Sequence, residues 1–164
     1  MNKQSFIRFY TENHEELYKA INNLNEAQME EIITLGNWTV KDILAHISAW
    51  NFELKNAINQ ILKNEKPWFV DEEELNEVDF NQRETQKRKR WSVQSILNEW
   101  ENFFAGLIER IKDLSNTELE YQADFFWKDT SIPVSIKTLL DYTYEGEGHE
   151  GGHAKQINEY FKNK

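Results

Sequence analysis

The chain has 164 residues, no cysteine and a formal net charge of −10. Its length fits a single domain spanning residues 1–164, large enough to bury a core without a covalent staple. Absence of cysteine excludes disulfides, thiolate metal ligands and a protein-borne thiol nucleophile. The acidic balance argues against nucleic acid, because a phosphate backbone is held by a basic surface that releases counterions. The one basic cluster, Lys87-Arg88-Lys89-Arg90, follows an acidic run at 71–77 and reads as a solvated loop. The first residues are acidic and lack an apolar run, so no signal peptide is expected. No stretch approaches the roughly 18 apolar residues of a membrane span, and a cytoplasmic location is expected. Aromatic residues make up 13% of the chain, enough to build a core despite the polar average.

Apolar residues at helical spacing predict four long helices. The first covers about Lys3 to Asn22, with Phe6, Phe9, Tyr10, Leu17 and Ile21 on its stripe. The second runs from Thr39 to about Lys63, with Ile43, Ile47, Trp50, Leu54, Ile58 and Ile61. Thr39 is a good N-cap, and Asp42 can return a bond to its amide. The third runs from Ser92 to about Leu114 through Ile96, Trp100, Phe103, Phe104, Leu107 and Ile111. The fourth runs from about Ser135 to Phe161, with Ile136, Leu139, Leu140, Tyr144 and Ile157 inward. The Trp38-Thr39-Val40 and Trp91-Ser92-Val93 segments echo one another as a repeated helix start. Residues 64–91 and 115–134 are long connections, and 71–79 could add a short helix. No convincing alternating strand is present. The expected class is an all-α four-helix bundle with long inter-helix connections.

His149 and His153 are four apart, which on a helix places both imidazoles on one face. Such a pair suits a metal or an exposed surface pair. His46, flanked by Ile43, Ile47 and Trp50, can supply a third ligand from the second helix. Three imidazoles plus an open position is an arrangement that suits a catalytic ion. His14 has polar sequence neighbours and is expected to be exposed, without a role. His149-Glu150-Gly151-Gly152-His153 also matches the H-E-x-x-H pattern, in which the Glu is a general base. The chain lacks the further ligand and aligning strand that a protease of that kind needs. Gly146, Gly148, Gly151 and Gly152 crowd around the histidines. They read either as a broken helix or tight helix packing, or as an opening on the metal face at Gly146 and Gly152.

Trp38-Thr39-x-x-Asp42-x-x-x-His46, followed far downstream by His149-x-x-x-His153-x-Lys155-Gln156-Ile157, resembles the DinB/YfiT-like superfamily over most of the chain. Val78-Asp79-Phe80-Asn81 with Trp91-Ser92 is similar to a ClbS/DfsB-like branch. The glycine pair between the histidines departs from the bulkier residues usual there. The resemblance implies a DinB-like four-helix bundle with zinc or nickel at His46, His149 and His153. It also implies a hydrolase or small-thiol S-transferase acting on an electrophilic small molecule, with a low-molecular-weight thiol as a candidate co-substrate. ClbS-like members protect producers from reactive cyclopropane toxins, so a sequestering self-protection protein is the alternative. A metal-free structural dimer is a further one, and a homodimer is expected. Asp42 is a candidate to orient His46, or serves only the helix start. Glu150 is the candidate base, unless it and Glu147 lie on a solvated face. Trp50, Asn81, Phe80 and Trp127 are candidate pocket residues.

Overall fold

Asn2 accepts the Ser5 amide and so starts helix α1, Lys3–Ile21, satisfying one of the amides a helix start leaves unpaired. The structure is a computed structural model that describes residues 1–33, 37–71, 74–143 and 146–164, with residues 74–76 described in backbone only. A one-turn helix α2, Glu26–Met29, precedes α3, Val40–Leu62. Thr39 and Asp42 form a reciprocal capping box at the start of α3. A 3-10 turn at Trp68–Val70 leads to α4, Glu74–Arg88. Helix α5, Val93–Asp113, starts at Ser92, whose hydroxyl accepts the Ser95 amide. Both tryptophan-led segments thus start a helix on a hydroxyl N-cap, with the reciprocal bond present at Thr39. Then follow α6, Asn116–Leu119, and strands β1, Gln122–Phe126, and β2, Pro133–Ser135, paired antiparallel. The chain ends with α7, Ile136–Leu140, and α8, His149–Lys162.

Helices α1, α3, α5 and α8 make the four-helix bundle, α3 packing chiefly on α5 and α1 on α8. Two apolar clusters fill it. One gathers Leu17, Ile21, Val40, Ile43, Ile47, Ile96, Trp100 and Ile157. The other gathers Phe6, Ile58, Ile61, Leu107, Ile111 and Leu140. Buried polar residues fall between the two clusters on α1, at His14, and on α3, at Asn51, and Glu150 of α8 is buried as well. No helix among the described residues is long and apolar enough to cross a membrane.

Four expectations change. The fourth helix is not continuous: α7 stops at Leu140 and α8 starts at His149. Gly146 takes a positive φ of 80° and Gly148 caps α8, so the glycines punctuate the chain where a helix would be weakest. Tyr144, expected on that helix, lies outside the described residues. The short helix expected at 71–79 is α4 and reaches Arg88. The basic cluster therefore straddles the end of α4: Arg88 is buried, while Lys87, Lys89 and Arg90 stay exposed. Arg88 bonds Glu84 and Glu99, Lys87 bonds Glu84 and Lys89 bonds Asp42. The 115–134 connection carries the small hairpin that its weak alternation concealed.

Candidate metal centre

The break before α8 sets the site. It makes His149 the first residue of α8 and places His153 one turn later on the same face. His46, in the second turn of α3, faces them. One ring nitrogen from each of the three lies within 4.8 Å of the others. Nε2 of His46 and Nε2 of His149 stand 2.9 Å apart. Between two neutral imidazoles only one proton can sit there, whereas a cation accepts both lone pairs. His153 Nδ1 lies 3.2 Å from Gln156 Oε1. A carbonyl oxygen only accepts, so Nδ1 carries the proton and Nε2 is the basic nitrogen. Nδ1 of His46 is buried with no hydrogen-bond partner.

The surroundings keep these rings neutral. Burial, reinforced by the charge of His153, pushes His46 down to about 3, and the nearby Asn81 amide offsets only part of this. Burial pushes His153 down to about 4 against the Gln156 bond. His149 is held well below the ordinary histidine range by burial, then by His46 and His153. Neutral imidazole is the ligating form. The donor set, its convergence and its protonation fit a divalent transition ion.

The cluster forms part of the lining of a cavity of about 530 Å³. Trp38, Trp50, Phe69, Trp127 and Tyr142 contribute ring surface to it. Trp50 is the centre of an aromatic wall, its ring 4.9 Å from Phe80, 5.6 Å from Phe69 and 5.9 Å from Trp68. Asn81 lines the cavity and accepts the Trp50 indole N–H. Of the candidate pocket residues, Trp50, Asn81 and Trp127 lie in the cavity lining. Phe80 backs its wall.

Glu150 is buried rather than on a solvated face, at 6% exposure. Asn51 Nδ2 and Trp100 Nε1 donate to its Oε1 at 2.8 and 3.2 Å, and His14 Nδ1 lies 2.7 Å from its Oε2. One carboxylate thus joins α1, α3, α5 and α8. Both oxygens are engaged, so Glu150 ties the helices beneath His149 rather than standing free as a base. Glu147 is exposed. His14 is a buried member of this network and not the exposed residue expected. It stacks on Phe104 at 3.6 Å, and its Nε2 lies 3.3 Å from Glu101. Its polar sequence neighbours were misleading. The helical signal was Tyr10, Leu17 and Ile21, at i−4, i+3 and i+7. Burial opposes a charge on His14, but the bonds and fields of Glu150 and Glu101 outweigh it and raise its pKa. Asp42 bonds Thr39 and Lys89 and serves the start of α3. Gly148 and Gly151 pack on Asn13: a Cβ on Gly151 would sit 1.9 Å from Asn13 Oδ1. Among the glycine readings, broken helix and tight packing hold at Gly146, Gly148 and Gly151.

Fold and site together define a four-helix bundle with three converging histidines at an aromatic cavity. The chain belongs to the DinB superfamily, whose model matches residues 10–157. No curated protein matches the sequence. Solved structures do. The colibactin self-resistance protein ClbS, in complex with double-stranded DNA, is 15% identical with a TM-score of 0.75, covering 98% of this chain and 95% of that one. An uncharacterised protein from Escherichia coli UTI89 is 13% identical with a TM-score of 0.74, covering 98% and 93%. YfiT from Bacillus subtilis, described as a probable metal-dependent hydrolase with an unusual four-helix bundle topology, is 15% identical with a TM-score of 0.64, covering 98% and 84%. At these identities the likeness establishes the fold.

The ClbS complex corrects one expectation. A bundle of this fold is seen with a DNA duplex, so the exclusion of nucleic acid drawn from net charge does not stand. A whole-chain sum says nothing about the local field that a duplex would meet.

Proposed function

We propose that the protein holds one divalent ion, zinc or nickel, at His46, His149 and His153, and acts on an electrophilic small molecule in the adjoining cavity. The observation that carries this reading is the convergence of three ring nitrogens from two helices within 4.8 Å, at the lining of that cavity. Such an ion, when bound, supplies Lewis acidity that brings a water or small thiol toward its nucleophilic form near neutral pH. The chain's own residues do the rest. Gln156 fixes the tautomer of His153. The Glu150 network fixes the first turn of α8 and so His149. The aromatic wall excludes water and orients the substrate. YfiT's description as a probable metal-dependent hydrolase supports hydrolysis, and transfer of a small thiol is the other reaction such a site serves.

A second reading, capture without turnover, is favoured by the enclosed aromatic surface, and ClbS is described as a self-resistance protein. One experiment separates them. Metal-loaded protein is offered epoxides, activated esters and alkyl halides, with and without a small thiol, over many equivalents. Multiple turnovers that vanish in His46→Ala support the metalloenzyme. Stoichiometric capture supports sequestration. Equal turnover in wild type and His46→Ala would overturn metal catalysis.

A further inference from the structure

The polar groups lining the cavity are largely engaged within the protein. Trp50 Nε1 donates to Asn81 Oδ1 at 2.8 Å, and Trp127 Nε1 donates to Thr138 Oγ1 at 3.0 Å. The Tyr10 hydroxyl donates to the Leu140 carbonyl, and Asn51 Nδ2 to Glu150. Asn13 donates to the Phe9 carbonyl and accepts the Gly148 amide. What these side chains leave for a ligand is ring faces and edges, with Leu54 and Leu139 beside them. The histidine cluster is where a polar group of the ligand would be read.

Charge narrows the occupant further. No lysine or arginine is among the described residues lining the cavity, whereas the carboxylates Glu77 and Glu150 are. Aromatic faces present the negative part of their quadrupole, which repels anions. A divalent ion at the histidines would repel a cationic body. A neutral body satisfies both conditions. A cavity of about 530 Å³ can enclose a molecule of two or three rings.

We infer that the ligand is an uncharged, flat aromatic small molecule carrying one polar group that reaches the histidines. The inference rests on the proposed metal site and narrows it.

The test uses two naphthalenes of equal size, 2-naphthaleneacetamide and 2-naphthaleneacetate. Binding to the full chain is followed by calorimetry in chelator-treated protein, where no ion can ligate the carboxylate. The amide should bind one-to-one and at least tenfold tighter than the acetate. Trp127→Leu, which removes a wall, and Leu54→Trp, which fills the cavity, should each weaken the amide at least tenfold while native helical circular dichroism persists. Acetate binding as tightly as the amide would overturn the inference, as would amide binding that neither variant changes. The metal reading fails separately, on metal content. Amide selectivity in a protein that never takes up metal would leave the exclusion of anions standing and overturn the exclusion of cations, which rests on the ion.

Discussion

His14 and Glu150 lie 136 residues apart in sequence and meet at 2.7 Å inside the bundle. Their contact joins the first and last helices, and Asn51 and Trp100 bring the other two to the same carboxylate. A buried carboxylate is tolerated only when its lone pairs are occupied, and its donors in turn depend on it. Glu150→Ala leaves three buried donors without an acceptor and should destabilise the protein by about 3–5 kcal/mol. Urea unfolding measures this. A loss below about 1 kcal/mol would mean that water replaces the carboxylate freely.

His14 makes stability depend on pH. Its folded pKa is raised, burial being outweighed by Glu150 and Glu101. Its stabilising contribution is fully present below the unfolded value of about 6.5 and is lost as pH rises through the folded value. The stability difference between wild type and His14→Gln should therefore be largest near pH 5–6 and shrink above the folded pKa. In metal-free protein the His14 ring signals should titrate above about 6.5 by NMR. Titration below that value would show that burial, and not the carboxylates, dominates.

Gly151 lies against Asn13, with no room for a Cβ. Asn13 cannot swing away cheaply, because it bonds both the Phe9 carbonyl and the Gly148 amide that caps α8. Gly151→Ala should cost about 1–3 kcal/mol through this overpacking. Adding Asn13→Ala relieves the clash, and the double variant should be more stable than Gly151→Ala alone. Thermal melts of the three variants check the sign. No recovery in the double variant would place the strain elsewhere.

The bundle was legible because its signals are local. Apolar stripes and the Thr39 and Ser92 caps gave α1, α3 and α5 to within a residue or two of their observed ends. The three histidines were legible as a set from their spacing and their flanks, together with the family resemblance. What sequence concealed depends on packing between distant segments. The last helix pattern continued through Tyr144, but three glycines between 146 and 151 act as a turn, a cap and a contact with Asn13. Glu150 read as a candidate base or as a charge on a solvated face, because the donors that bury it come from α1, α3 and α5. His14 was misread from its immediate neighbours, although its three- and four-residue neighbours marked the buried face. Lys87 to Lys89 looked free because their carboxylate partners include residues more than ten positions away, as with Arg88–Glu99 and Lys89–Asp42.

Metal analysis decides whether the three histidines hold one divalent ion. Protein purified without chelator, and without a polyhistidine tag, is assayed for zinc, nickel and other first-row metals alongside His46→Ala, His149→Ala and His153→Ala. About one equivalent is expected in the wild type, because three imidazoles hold such an ion well. Each variant should lose most of it while keeping its helical circular dichroism, since the two apolar clusters do not depend on the histidines. A well-folded wild type that holds no metal, even after equilibration with zinc and nickel, would show that the three histidines are not a metal site. Variants that retain a full equivalent would show that the ion sits elsewhere.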